Sequence, residues 1–209
     1  MRRISSCNRP DVAVLRAIAI WGAVGCVVLV PVIAAGFSPL LQWRDATYIF
    51  AGIAGIAAMA IMPLQPLAAA GVLPGLSAYG SRRLHRAVGA SLFIGVVAHV
   101  AALWITSPPD VLDALLFRSP ALFSPFGVIA MAAVFAAAVM ATPPVRRALR
   151  WRQWRRIHRG VTTVIVAGAI AHVALIEGTM DVVSKTMLCL VLGALTGWSL
   201  FGASAAPHR

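Results

Sequence analysis

Long apolar runs separated by short polar connections are the main pattern along this chain. An α-helix needs about 20 mostly apolar residues to cross a bilayer, and six runs are of that length. They cover residues 12–35, 46–70, 84–106, 122–142, 158–176 and 182–202. The runs do not alternate in polarity as the strands of a membrane barrel do. The pattern therefore predicts an all-α, polytopic membrane protein that folds as a six-transmembrane-helix bundle.

These runs also divide the chain. We expect a cytoplasmic N-terminus at residues 1–11, a six-helix membrane domain at 12–202 and a cytoplasmic tail at 203–209. The first run is longer than the 7–15 apolar residues usual in a signal peptide, so we interpret it as an uncleaved span. No hydrophilic stretch is long enough to fold as a separate flavin or nucleotide domain.

The composition supports the membrane interpretation. The chain is 60% hydrophobic and 11% charged, whereas soluble domains are about half apolar and a quarter charged. Its net charge of +12 comes largely from arginine clusters at the N-terminus, at residues 82–86 and at 146–159. If six spans alternate, all three clusters fall on one side, which the positive-inside rule makes cytoplasmic. We therefore expect a multi-pass protein of the cell inner (plasma) membrane. The lipid bilayer is its expected partner, and no nucleic-acid partner is expected.

Four histidines lie within the apolar runs. His85 and His99 belong to the third run, and His158 and His172 belong to the fifth. Each pair is 14 residues apart, which is a rise of about 21 Å along one face of a helix. Ionisable residues inside a membrane are functional candidates. Two helices that face one another would therefore present two stacked pairs of imidazoles, His85 with His158 toward the inner side and His99 with His172 toward the outer side.

The number of ligands favours haem over zinc. Zinc sites usually need three or four protein ligands, whereas a haem iron needs only two because the porphyrin supplies the rest. The chain has no C-x-x-C-H attachment motif, so we expect two b-type haems, each with two histidine axial ligands. Glycines four residues from a histidine would let a porphyrin approach, and neighbouring arginines are candidates to pair with haem propionates. These residues are Gly89, Gly95, Gly168, Arg86 and Arg159.

Two further interpretations remain open. The histidines could instead form hydrogen bonds between helices in a haem-free scaffold or transporter. Pro63 and Pro66 flank Gln65 and predict a kinked helix end, although Gln65 is also a candidate for contact with a quinone or flavin. Replacing His99 or His172 would distinguish a haem carrier from a scaffold.

The histidine motifs resemble those of the ferric-reductase-like transmembrane domain family. This family includes ferric reductases, NADPH oxidases and the haem-binding subunit of the bacterial protein-methionine-sulfoxide reductase system. The motifs are residues 83–89 (RLHRAVG) followed by His99, and residues 154–159 (WRRIHR) followed by His172. The resemblance covers about 46–200. The cytochrome b of quinol-oxidising complexes has similar histidine spacing, but its additional spans and quinone motif are not found here.

The resemblance implies a transmembrane electron carrier. Electrons would pass from the inner haem, held by His85 and His158, to the outer haem, held by His99 and His172. The chain would be an oxidoreductase component without its own flavin and NADPH domain, as in the stand-alone subunits of the family. Its electrons would come from a separate flavin (FMN or FAD) reductase or from quinol. A periplasmic protein or a metal ion would be the acceptor.

Overall fold

A computed structural model of the chain describes residues 9–202. Within this range the structure is helical and contains no strand. The predicted cytoplasmic tail, with His208, and most of the predicted cytoplasmic N-terminus lie outside the described residues.

Nine α-helices follow one another along the described part of the chain. They are α1 (Arg9–Gly36), α2 (Ala46–Ile61), α3 (Leu64–Ala70), α4 (Ala78–Thr106), α5 (Pro108–Leu115), α6 (Ser124–Ala141), α7 (Pro143–Ala148), α8 (Trp151–Leu175) and α9 (Val182–Gly197). A short 3-10 helix precedes α2 and a π-helical turn follows α9. Six stretches are long and apolar enough to cross a membrane, with α2 and α3 together forming the second. The predicted six-helix membrane bundle is therefore confirmed.

The two helices that carry the histidines begin earlier than the apolar pattern predicts. α4 begins at Ala78 rather than at residue 84, because the Ser77 hydroxyl caps the helix by accepting the N–H of Gly80. α8 begins at Trp151 rather than at residue 158. Arginine-rich turns hide both beginnings from a hydropathy pattern, although helices readily extend into the interface with such residues. His85 and His158 consequently lie about two turns inside their helices.

The second span is broken rather than continuous. α2 ends at Ile61 and α3 begins at Leu64, with Pro63 between them. Proline has no N–H to donate to the preceding turn and its ring clashes with that turn, so the predicted kink has a direct cause. Gly71 ends α3 in the left-handed conformation, with φ +67°. The break places Gln65 in the first turn of α3, two residues after Pro63.

The bundle is organised around two closely packed helix pairs. α2 packs along α4, and α6 packs along α8, in the most extensive contacts between helices. α4 and α8, which carry the histidines, make little backbone contact with each other. Between them lies an apolar layer, which includes Leu92 of α4, Val166 of α8 and the fully buried Leu192 of α9. Large apolar side chains cover much of the outside of the bundle, as a lipid-facing surface requires.

Candidate functional site

The first histidine pair joins α4 to α8 at the arginine-rich end of the bundle, which holds residues 82–86 and 146–159. The ring centroids of His85 and His158 lie 6.2 Å apart, and their planes are inclined at 74°. A metal–imidazole bond is about 2 Å long, so two imidazoles on opposite sides of one metal have centroids about 6 Å apart. The spacing of this pair therefore fits two axial ligands of one iron.

The second pair, His99 and His172, lies on the same two helices, 14 residues beyond His85 and His158. Nδ1 of His99 donates to the carbonyl oxygen of Ala51 in α2 (2.7 Å). Nδ1 of His172 donates to the carbonyl oxygen of Phe123, just before α6 (3.0 Å). A carbonyl can only accept, so Nδ1 carries the hydrogen and the lone pair of each ring is on Nε2. Histidines that bind metals are usually oriented in this way.

Two glycines that the sequence analysis missed make room for this second pair. A Cβ at Gly55 of α2 would lie 2.9 Å from Nδ1 of His99. A Cβ at Gly127 of α6 would lie 2.6 Å from Nδ1 of His172. Each glycine follows its carbonyl acceptor by four residues and lies on a helix without a histidine. The A-x-x-x-G and F-x-x-x-G spacings were the available signals, but only the packed structure shows which histidine they face.

The surroundings of the first pair differ from those of the second. Nδ1 of His85 lies 3.3 Å from the backbone carbonyl oxygen of Gln65, and the Gln65 side-chain amide contacts the same nitrogen. The amide oxygen can accept the backbone N–H of Gly89 at 2.8 Å. Nδ1 of His158 is buried and has no hydrogen-bond partner, and the ring stacks on Trp154 instead. Three of the four imidazoles are thus oriented by polar atoms and the fourth by an aromatic face.

The predicted glycines lie against neighbouring helices. A Cβ at Gly95 would meet Ala58 of α2 at 3.2 Å, and one at Gly168 would meet Ala130 of α6 at 3.1 Å. A Cβ at Gly89 would lie 3.2 Å from the side-chain amide of Gln65. Close helix packing therefore accounts for glycine at these three positions. Their predicted contact with a porphyrin remains a prediction.

The predicted arginines lie at the arginine-rich end. Arg86 is exposed and lines a cavity of about 470 Å³ together with Arg146 and Arg147. Arg159 is half-buried and follows His158 directly. Their predicted pairing with haem propionates remains a prediction.

The two helix pairs are arranged as a structural repeat. Ala58 and Ala130 are 72 residues apart, and each packs against a glycine of a histidine helix. The carbonyl acceptors Ala51 and Phe123 have the same separation, and equivalent histidines are 73 residues apart. α2 with α4 thus corresponds to α6 with α8 in the same orientation. Each histidine pair takes one ring from each half.

The donor set fits haem better than a closed zinc centre. Among residues 9–202, no three His, Cys, Asp or Glu side chains come together, whereas the rings of His85 and His158 approach as a pair. An axial haem site needs two imidazoles facing each other across a space that protein backbone does not fill. The facing rings of α4 and α8, whose backbones make little contact, meet this requirement.

The chain matches a known protein family. The family described as ferric reductase like transmembrane component matches residues 52–169, which is more than half of the chain. This segment contains His85, His99 and His158 and ends three residues before His172. No curated protein and no solved structure matches the chain.

Proposed function

The chain belongs to the ferric-reductase-like transmembrane family, and from this premise we propose that it carries electrons across a membrane through two b-type haems. His85 and His158 would hold one haem, and His99 and His172 would hold the other. The observation that carries the proposal is the approach of His85 and His158, one ring from each half of the repeat, with His99 and His172 at a second level on the same two helices. The fixed tautomers of His99 and His172 support it, because each leaves Nε2 as the free donor.

A bound haem supplies a one-electron redox centre whose potential depends on its axial ligands, their hydrogen bonds and its burial. The residues of this chain provide the environment. The carbonyls of Ala51 and Phe123 hold two imidazoles in a metal-binding tautomer. Leu92 and Val166 form an apolar layer between the two levels and keep water out of it. A haem held by two histidines would supply electron transfer rather than oxygen binding.

The remaining site residues have supporting roles in the proposal. Arg86 and Arg159 pair with haem propionates near the arginine-rich end, where charge-assisted hydrogen bonds would hold carboxylates. Gly89, Gly95 and Gly168 have no side chain, and their place on the histidine face of each helix would favour close approach of a flat cofactor.

Arginine placement gives the proposed orientation. The arginine-rich end, with the first histidine pair, faces the cytoplasm, and the protein resides in the cell inner (plasma) membrane. A separate flavin reductase or quinol donates electrons on that side. A periplasmic protein or a metal ion accepts them on the other side, next to the second pair. The chain then acts as an oxidoreductase component with its flavin chemistry in a partner.

The first experiment is a dithionite-reduced minus oxidised spectrum of the detergent-purified protein, with haem quantified as the pyridine haemochrome. About two b haems per chain are expected, because the structure offers two pairs of axial ligands. His99→Ala and His172→Ala should each reduce this to about one haem per chain. His208→Ala, outside the four-histidine set, is the matched control and should retain both.

A haem-free scaffold is the competing function. Its supporting observation is that His99 hydrogen-bonds across α2 and α4, as a purely structural histidine would. Protein made in cells supplied with iron and haem precursor decides between the two. Preparations that are folded but contain no haem would refute the carrier and favour the scaffold.

A further inference from the structure

His158 is the exception among the four histidines. Its Nδ1 is buried without a hydrogen-bond partner, whereas the other three rings each have a carbonyl oxygen near Nδ1. An imidazole without this partner is free to rotate about its side-chain bonds unless another contact fixes its plane. The contact that the structure provides is the indole of Trp154, one turn earlier on α8. The two rings are nearly parallel, at 12°, with centroids 4.8 Å apart.

Trp154 is itself firmly held. Its indole N–H donates to the carbonyl oxygen of Met140 at the end of α6 (3.1 Å). Trp151 stacks on it with centroids 5.6 Å apart and planes at 10°. The guanidinium of Arg146 lies 5.8 Å from its ring centroid, within the range of a cation–π contact. The indole plane is therefore fixed by both α6 and α8, and the plane of His158 follows from it.

We propose that Trp154 is the positioning residue of His158, holding the ligand ring by its face where the other three histidines have a polar partner at Nδ1. The inference rests on the proposed haem function. Trp154 thereby maintains the 74° angle between the planes of His85 and His158. It does so without a hydrogen bond at Nδ1 of His158.

Electron paramagnetic resonance of the oxidised protein tests this role. Nearly perpendicular imidazole planes give a highly anisotropic low-spin signal, and near-parallel planes give a less anisotropic one. Trp154→Ala should remove or shift the anisotropic signal of the first site, with retention of that haem falling about 10–100-fold. Trp154→Phe keeps an aromatic face and should retain most of the signal. His99→Ala, which leaves only the first site, assigns the signal.

Trp151→Ala is the matched control. Trp151 belongs to the same stack but is exposed and touches Trp154 rather than His158. Because the hydrogen bond to Met140 and the contact with Arg146 still hold the indole, Trp151→Ala should change the signal and the haem content much less than Trp154→Ala does. A redox titration adds a second readout, in which Trp154→Ala shifts the midpoint potential of one haem and leaves that of the other unchanged.

The possible failures are distinguishable. If the wild type binds two haems and Trp154→Ala has the same spectrum, potentials and haem content as the wild type, the positioning role is refuted. The carrier function then still stands. The same holds if Trp151→Ala and Trp154→Ala change the signal equally. A folded wild type without haem would refute the carrier function and this inference together.

Discussion

Gly55 of α2 lies so close to the ring of His99 that a Cβ there would come within 2.9 Å of Nδ1. The same nitrogen donates to Ala51, one turn away on α2, so the ring cannot withdraw without losing its hydrogen bond. Gly55→Ala should therefore displace His99 and reduce haem content from about two to about one per chain. The measurement is the pyridine haemochrome assay on purified protein.

Gly52→Ala is the control for that substitution. Gly52 lies on the same helix, but a Cβ there would meet only the Thr179 hydroxyl, at 3.8 Å. It should retain both haems. Equal loss from the two variants would mean that α2 tolerates no added methyl group and that the contact with His99 is not special.

Gln65 offers a test of the first histidine pair. Gln65→Leu removes the side-chain amide that contacts His85 and Gly89 but keeps the backbone carbonyl near Nδ1. Loss of an outer hydrogen-bonding partner typically weakens metal binding about 10–100-fold. We expect faster loss of one haem to apomyoglobin, followed by absorbance, with the other haem unaffected. Gln42→Leu, in the connection before α2, should behave as the wild type.

Leu192 is the large side chain that is fully buried, at 0% exposure, among the described residues. Leu192→Ala would leave a cavity between α9 and the histidine helices and should lower the free energy of unfolding by about 2–5 kcal/mol. Denaturation in detergent micelles, followed by circular dichroism, measures the change. Leu190→Ala, at a lipid-facing position that is 61% exposed, should have a much smaller effect. Equal effects would contradict the proposed position of the core.

Asp181 caps α9 and gives a prediction about pH. The hydroxyl and the backbone N–H of Ser184 donate to its carboxylate and lower its pKa from the ordinary value. A lowered folded-state pKa contributes stability above the unfolded-state pKa, and this stability is lost as the pH falls through the folded-state value. Thermal unfolding should therefore shift to lower temperature upon acidification below about pH 4. Asp181→Asn keeps a capping oxygen and should make the unfolding temperature depend less on pH in this range. If the pH dependence is unchanged, it comes from other carboxylates.

Hydropathy is a local property and was sufficient to predict the six spans. The 14-residue spacing placed His85 level with His158, and these two rings lie 6.2 Å apart. The sequence could not predict which residues orient His99 and His172. Gly55 and Gly127 lie 44 and 45 residues from their histidines in the chain, and their importance depends on how two helices pack. The packing of Gly95 was equally hidden, because its place beside Ala58 of α2 depends on how α2 and α4 pack.

The start of α8 was hidden for another reason. Trp151 and Trp154 lie among arginines, which a hydropathy pattern assigns to a polar connection. In the structure they form the first turn of the helix, and Trp154 comes to lie on His158. The aromatic pattern i, i+4 from the histidine was visible in the sequence, but it became informative only once this stretch was known to be helical.

The repeat of two helix pairs has a consequence for how the protein is made. α2 with α4 and α6 with α8 each form a helix pair with extensive internal contacts. Neither helix pair contains both members of a histidine pair, because His85 and His99 belong to one and His158 and His172 to the other. Haem binding would therefore follow membrane insertion and would link the two halves of the bundle at two levels in the membrane. Assembly of the holoprotein would depend on the supply of haem at a late step, when the halves are already in the membrane.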